Sequence, residues 1–164
     1  MPTRAVRKDG EARPRLSRGT AHDEPSLLYV MKQVELAVRA ELDEIAKPAG
    51  LTALQYTALT VLERHPNLTS AQLARNSFVT AQAMADMVAA LQERGLVERH
   101  RDEQDRRRLV LALTAQGRRL LGTLRDTVAA LEDRMLVGLT DHQIAQLRQS
   151  LLSCRAALSG RLPH

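Results

Sequence analysis

The sequence predicts a mainly α-helical protein with one small β-hairpin, and two features of its pattern predict it. Apolar residues recur at steps of three and four along most of residues 23–160, which is the spacing of the buried face of an amphipathic helix. Residues 96–113 depart from that period and carry two short apolar runs around a charged segment, a pattern typical of two strands and a turn. At 164 residues, the chain is close to one ordinary domain in length.

The first predicted helix covers residues 23–47. Asp23 offers an N-cap, Pro25 is tolerated in a first helical turn, and Pro48 ends the helix. Its apolar stripe consists of Leu27, Met31, Val34, Val38, Leu42 and Ile45. The continuous stripe predicts that one side of this helix packs against another surface.

Three short helices follow, and each begins at a threonine. Thr52 and Thr69 each precede a glutamine three residues later, which is the capping-box pattern, and they predict helices that end near residues 65 and 76. Thr80 caps the third helix, which stops at Gly95. Strands at residues 96–99 and 109–113 then flank a polar tip at residues 100–108. Two short helices with a tight connection and a hairpin after them form a winged helix-turn-helix, which we predict for residues 48–117.

Two further helices with apolar seams complete the chain. Thr114 caps the first, and Thr140 with Gln143 forms another capping box at the start of the second. The seams are Leu121, Leu124, Val128, Leu131 and Met135 in one helix and Ile144, Leu147, Leu151, Cys154 and Leu158 in the other. Because the middle unit is too small to cover three stripes, residues 23–47 and 118–160 are predicted to dimerise with a second copy of the chain. The alternative is a monomeric bundle.

The positive charge is concentrated in the first twenty residues. Of the formal net charge of +5, this segment carries +4, and residues 1–22 have no helical or strand period, so we predict a disordered basic tail. Such a tail either adds sequence-independent affinity for DNA or is inert. Since the remainder is almost neutral, a DNA-binding interpretation depends on where the arginines lie.

Composition argues against several classes of protein. Aromatic residues make up 2% of the chain, too few for base-stacking modules that bind single strands. No apolar run approaches the length of about 18 residues that a membrane span needs, and no secretory signal is present, so we expect a cytoplasmic protein without a membrane partner. The single cysteine and the five dispersed histidines have no metal-ligand spacing, and no nucleophile motif or glycine-rich loop occurs. We therefore expect neither an enzyme nor a bound cofactor or metal.

The second helix of a helix-turn-helix reads bases in the major groove with residues near its start. Here Gln82 is suited to adenine and Ala83 to the methyl group of thymine. This helix has no basic residue before Arg94, so attraction to phosphate must come from the hairpin, where six arginines lie between Arg94 and Arg108. Consecutive arginines at a narrow turn are suited to the minor groove. The alternative is a solvated loop.

Asp105 is expected to pair with Arg107 and to hold its guanidinium in one orientation. The candidate DNA-contacting residues are Ser70, Arg75, Ser77, Thr80, Gln82, Ala83, Asp86, Arg99, Asp105, Arg106, Arg107 and Arg108.

Several of these motifs, in this order, resemble the MarR family of bacterial transcriptional regulators. The resemblance covers about residues 26–158, and its most specific part runs from residue 94 to residue 117. It is carried by Leu51-Thr52-x-x-Gln55, Leu73-Ala74, Val79-Thr80, Leu91-Gln-Glu-Arg-Gly95-Leu96-Val97-x-Arg99, Asp105-Arg106-Arg107 and Leu113-Thr114-x-x-Gly117. It implies a homodimer that binds double-stranded DNA at a pseudo-palindromic operator and represses transcription until a small molecule, here unidentified, releases it.

The resemblance also assigns individual residues. Asp105 and Arg107 match the acid of the wing tip and the minor-groove arginine, and Arg99 matches the arginine that closes the first strand. The sequence departs from the family at Asp86 and Ala90, where many relatives are basic. A ligand crevice between the dimer helices and the DNA-binding unit is implied, and its candidate lining residues are Tyr29, Arg39, Tyr56 and His65.

Two further interpretations remain open from the sequence. Cys154 lies on the apolar seam of the last helix, where cysteine usually behaves as a small buried hydrophobic residue, and a disulfide between two copies is the alternative. The rival for the whole protein is a winged-helix module for protein contacts, with no specific DNA binding, which the acidic Asp86 favours.

Overall fold

The computed structural model describes residues 24–77 and 79–159. The predicted tail at residues 1–22 and the predicted cap Asp23 lie outside the described residues. The elements are α1 (Leu27–Ala46), a 3₁₀ turn (Lys47–Ala49), α2 (Ala53–Arg64), α3 (Ser70–Asn76), α4 (Ala81–Glu93), β1 (Val97–Arg101), β2 (Leu109–Leu113), α5 (Ala115–Met135) and α6 (Asp141–Ser159). The predicted mainly helical fold with one antiparallel hairpin is thereby confirmed.

The helix caps follow the local sequence pattern closely. Thr52 and Thr69 form complete capping boxes with their glutamines. Thr80 and Thr114 also cap their helices as predicted. The start of α1 differs from the prediction, because the hydroxyl of Ser26 accepts the backbone N–H of Tyr29 at 3.2 Å and Pro25 stands before the helix.

The core lies in the middle of the chain, between α2, α3, α4 and the hairpin. Its fully buried large side chains are Leu59, Leu62, Leu73, Met84, Val88, Leu91, Leu96, Val110 and Leu111. The last turn of α1 and the first half of α5 join this core through Ala46, Leu121 and Leu124. A single core therefore joins the helix-turn-helix, the hairpin, the end of α1 and the first half of α5.

The hairpin is longer and better supported than the sequence indicates. Val97 pairs with Leu113 and Arg101 with Leu109, so β1 runs two residues beyond the predicted end and the polar tip shortens to residues 102–108. On its other side, β2 is bridged by the segment before α3, where Leu111 donates its N–H to the carbonyl of Leu68 at 2.8 Å. Side chains of β2 are buried at the consecutive positions Val110 and Leu111, so both faces of the strand are covered there.

Gly117 lets the start of α5 approach the start of the hairpin. A Cβ atom at this position would lie 2.3 Å from the carbonyl oxygen of Leu96, so only glycine fits. The hydroxyl of Thr114 donates to the carbonyl of Gly95 at 2.6 Å at the same junction. The long helix α5 is thus tied directly to the end of α4.

Within the described residues, the first turns of α1 and much of α6 leave apolar side chains exposed. In α1, Leu27 is 81% exposed, and in α6 Leu151 is 45% exposed. Cys154, on the same seam of α6, is exposed in the single chain as well. Within the described residues, no helix is long and apolar enough to cross a membrane. No other part of the described residues covers these apolar side chains, and exposed apolar surface of this kind is typical of an interaction site.

Candidate nucleic-acid interface

Helix α4 has one buried face and one exposed face, and the buried face fixes its position. Met84, Val88 and Leu91 are completely buried, at positions one turn apart that all point into the core. The opposite face presents the predicted base-reading residues Thr80, Gln82, Ala83 and Asp86, all of them exposed. We call α4 the recognition helix.

The start of the recognition helix is held by hydrogen bonds. The hydroxyl of Thr80 accepts the backbone N–H of Ala83 at 3.2 Å. One turn further, Nε2 of Gln82 donates to Oδ1 of Asp86 at 3.0 Å. Gln82 and Asp86 thus form a hydrogen-bonded pair at the exposed surface. The buried face of the same helix holds the backbone beneath them.

The wing tip, residues 102–108, is organised by two carboxylates. Oδ1 of Asp102 accepts the N–H groups of Gln104 at 2.8 Å and Asp105 at 3.3 Å. Oδ1 of Asp105 accepts the N–H of Arg107 at 3.0 Å. Because each carboxylate satisfies backbone donors of the turn, the tip has a defined shape although it is exposed.

These contacts also change the acidity of Asp102. The backbone N–H groups of Gln104 and Asp105 hold the pKa of its carboxyl below the ordinary value of 3.8, and the nearby charge of Arg108 acts in the same direction. The guanidinium of Arg108 lies 4.0 Å from the carboxylate. Asp102 is therefore ionised in the folded wing at neutral pH.

The arginines of the hairpin divide into two groups. Arg101 donates to the carbonyl of Arg106 at 2.6 Å, and Arg108 faces Asp102, so both stabilise the tip. The guanidinium groups of Arg99, Arg106 and Arg107 are exposed and have no hydrogen bond or ion pair within the described part of the chain. Three cations on a structured projection are thus available to an anionic partner.

Two expectations about the arginines are corrected. Asp105 binds the backbone of Arg107 and not its guanidinium, because its Oδ1 accepts the N–H of Arg107 two residues away within the turn. Arg94 is not available to phosphate either. Its guanidinium donates to the carbonyls of Ala49 at 2.7 Å and Gly50 at 2.5 Å, which joins the end of the recognition helix to the turn after α1.

The candidates from α3 and its end have different environments. Arg75 is exposed and unpaired among the described residues, and Ser70 is half-buried at the start of the helix. Ser77 departs from the expectation of a DNA contact, because it is 5% exposed and lies inside the protein. Its hydroxyl makes no hydrogen bond within the described residues, which is unusual for a buried polar atom.

A cavity of about 490 Å³ lies beside Ser77. Its walls come from α1, from α2 and from the turn between α3 and the recognition helix, and they comprise Glu35, Val38, Arg39, Leu42, Ala53, Leu54, Thr57, Ser77 and Val79. Of the four predicted crevice residues, Arg39 lines this cavity. Glu35 was not predicted to line a crevice, and Ser77 was predicted to contact DNA, because only the fold shows which helices meet here.

The other three predicted crevice residues lie elsewhere. Tyr29 is 55% exposed near the start of α1, and His65 is exposed at the end of α2. Tyr56 packs against the core, and burial raises the pKa of its phenol, with a smaller effect from the charge of Glu63. Among the described residues, no group of three or more His, Cys, Asp or Glu side chains has the arrangement of a metal site.

Comparison with known proteins agrees with this geometry. A model of the MarR family matches residues 49–108, from the turn after α1 to the wing tip. The HTH-type transcriptional repressor Rv2887 of Mycobacterium tuberculosis is 35% identical over 133 residues, which cover 81% of this chain and 95% of the repressor. The similarity thus extends well beyond the matched domain into the long terminal helices.

Solved structures resemble the whole described fold. The M. tuberculosis MarR family protein Rv2887 in complex with DNA has a TM-score of 0.64 at 32% identity, over 80% of this chain and 98% of that one. Its complex with salicylic acid has a TM-score of 0.65 at 33% identity over the same shares. CouR from Rhodococcus jostii RHA1, bound to p-coumaroyl-CoA, has a TM-score of 0.73 at 27% identity over 84% of this chain and 95% of that one. With a helix-turn-helix, a wing and long terminal helices that all correspond, the protein belongs to the MarR family of winged helix-turn-helix transcriptional regulators.

Proposed function

We propose that the protein is a homodimeric, non-enzymatic repressor that acts in the cytoplasm and binds a pseudo-palindromic operator in double-stranded DNA. The recognition helix enters the major groove, and Arg107 on the wing tip reaches the minor groove. The observation that carries this proposal is the structured wing tip, on which Asp102 and Asp105 accept hydrogen bonds from the backbone, and the guanidinium groups of Arg106 and Arg107 have no partner among the described residues.

The uncovered seams of α1 and α6 support the dimer. Leu27, Leu147 and Leu151 present apolar surface that a second copy would bury. A two-fold dimer places two recognition helices about one turn of DNA apart, roughly 34 Å, which matches an inverted repeat. Sedimentation of the Leu151→Glu variant tests this: we expect a monomer, whereas Gln146→Glu on the same helix remains dimeric. A dimeric Leu151→Glu protein would contradict this interface.

We also place the effector in the cavity beside Ser77. Salicylic acid and p-coumaroyl-CoA, which are aromatic compounds, are bound by the two relatives described above. Val38, Leu42 and Val79 offer apolar walls here, and Arg39 offers a cation for a carboxylate. Since the cavity joins a dimerisation helix to the turn before the recognition helix, a bound aromatic acid would favour one spacing of the two recognition helices.

Two substitutions test the effector site. With salicylate as the probe, Arg39→Ala should abolish the release of DNA, while Arg119→Ala, an exposed arginine of α5, should respond like the wild type. Ser77→Ala should weaken the response without lowering the midpoint of thermal unfolding, because it removes a buried hydroxyl that has no partner among the described residues. Equal responses of all variants would exclude this cavity.

DNA binding itself is tested by fluorescence anisotropy across a salt series. The wild-type protein should bind its own upstream intergenic DNA at two chains per site, more tightly than scrambled DNA. Arg107→Ala should lose roughly tenfold or more in affinity, whereas Arg119→Ala should lose little. Equal, weak binding to both DNAs by the wild type would favour a winged-helix module for protein contacts.

A further inference from the structure

The recognition helix carries an acidic residue on its exposed face. Its charge is negative, whereas DNA attracts positive charge. Residues 81–93 contain no lysine or arginine, and the carboxylate of Asp86 lies on the same face as Gln82 and Ala83. Near phosphates, a carboxylate is repelled, so Asp86 weakens binding to DNA of arbitrary sequence. The negative charge of Asp86 can favour binding only at a base that presents a hydrogen-bond donor to it.

The hydrogen bond from Gln82 fixes how Asp86 is presented. An ionised carboxylate can only accept, so the 3.0 Å contact requires that the amide nitrogen of Gln82 faces Oδ1. The pair is spaced by one helical turn, at positions i and i+4, where side chains naturally meet. One carboxylate oxygen is therefore occupied by Gln82, and Oδ2 has no partner among the described residues and lies at the exposed surface.

The free oxygen selects among the bases by their major-groove edges. Guanine presents only the acceptors N7 and O6, and thymine presents the acceptor O4, so each repels a carboxylate. Adenine presents an amino group beside the acceptor N7. Cytosine presents its N4 amino group without a neighbouring acceptor, and it is the best partner for Asp86.

We propose that Asp86 is a specificity-determining residue that accepts a hydrogen bond from the N4 amino group of cytosine, with Gln82 as the positioning residue for its carboxylate. This inference rests on the proposed major-groove docking of the recognition helix. The wing arginines would then attract DNA of any sequence, and Asp86, positioned by Gln82, would disfavour sequences that offer it no amino group.

The test is selection of bound duplexes from a random DNA pool by the full-length dimer, followed by sequencing. The wild type should prefer a C·G pair by roughly tenfold at one symmetric pair of operator positions. Asp86→Ala should flatten the preference at those positions alone. Asp86→Asn should shift it toward an A·T pair, because asparagine bonds adenine with both of its polar atoms.

Controls separate base recognition from charge and from folding. Glu93→Gln removes one negative charge from the same helix, away from its base-reading start, and should leave the selected sequence unchanged. Gln82→Ala should reduce the C·G preference severalfold without replacing it by another pair. Because Asp86 and Gln82 are exposed, thermal unfolding of these variants should match that of the wild type.

The outcomes distinguish this inference from the proposed function. If the wild type selects no sequence, the specific DNA-binding function itself is contradicted. If the wild type selects an operator but Asp86→Ala and Asp86→Asn select the same operator, Asp86 is only a repulsive charge and the inference is overturned. A wild-type preference for A·T at the positions that respond to Asp86→Ala would also overturn it.

Discussion

The recognition helix and the wing tip face the same partner, but different forces hold them in place. The recognition helix is fixed from below by Met84, Val88 and Leu91, which are completely buried. The wing tip has no buried side chains between residues 103 and 108 and takes its shape from hydrogen bonds to Asp102 and Asp105. Substitutions in the buried face of the recognition helix should therefore lower the stability of the protein, whereas substitutions in the tip should lower its affinity for DNA.

The largest effect on stability is expected from Met84→Ala. Removal of a fully buried methionine leaves a cavity under the recognition helix, so the free energy of unfolding should fall by about 2–5 kcal/mol, as urea denaturation would measure. Met87→Ala, at a half-buried position of the same helix, is the matched control and should cost clearly less. Equal losses would mean that the buried face does not hold the helix.

A smaller loss is expected from Arg94→Met. This change removes the two hydrogen bonds by which the guanidinium joins the recognition helix to Ala49 and Gly50, which should cost about 1–2 kcal/mol of stability. Arg119→Met, which removes an exposed arginine of α5, should leave the urea midpoint nearly unchanged. A neutral Arg94→Met would show that the joint is maintained by packing alone.

Thr80→Ala tests the cap of the recognition helix. The loss of the hydrogen bond from the N–H of Ala83 should lower the free energy of unfolding by about 1 kcal/mol and increase amide exchange in the first turn. Thr80→Ser retains the accepting oxygen and should restore most of the stability. If serine and alanine behave alike, the cap does not contribute.

The smallest effect on global stability, with a clear effect on binding, is expected from Asp102→Ala. The amides of Gln104 and Asp105 lose their acceptor, so they should exchange faster with solvent, and DNA affinity should fall severalfold. Glu103→Ala removes the same charge from an exposed neighbour and serves as the control. An unchanged exchange rate in Asp102→Ala would contradict the role of Asp102 in the tip.

The wing should also respond to acid in a defined direction. Because the pKa of Asp102 is lower in the folded wing than its ordinary value of 3.8, the ionised form stabilises the folded tip. That contribution is complete at pH values above the ordinary pKa and is lost as the pH falls through the lower folded pKa. Amide protection in the tip should therefore be constant at neutral pH and decline only in strong acid, whereas protection that declined near neutrality would implicate another group.

Prediction from the sequence succeeded where the determining contacts are local. The capping boxes at Thr52 and Thr69 place helix starts correctly, because donor and acceptor lie three residues apart. Gly95 ends the recognition helix with a positive φ of 65°, as its position indicated. The start of α1 was predicted at Asp23 instead of Ser26, since both residue types can cap a helix and the local pattern does not rank them.

The residues of the candidate site also divide into those whose environment was predicted from the sequence and those whose environment was not. The exposed arginines of the wing and the exposed face of the recognition helix were predicted from residue type and period. The inward positions of Arg94 and Ser77 were not, because their surroundings come from residues far away in the chain: the carbonyls of Ala49 and Gly50 for one, and the walls of the cavity for the other.

The sequence by itself determined the order of the helices, the hairpin, the uncovered seams and the family, since these depend on periodicity, caps and motifs within a few residues of one another. Only the tertiary structure decided which arginines are free for an anion, which hydroxyl is buried and where the cavity lies. The physical reason is that a side chain's partner is set by distance in space, and the guanidinium of Arg94, just after α4, reaches a carbonyl 45 residues away as readily as one in its own loop.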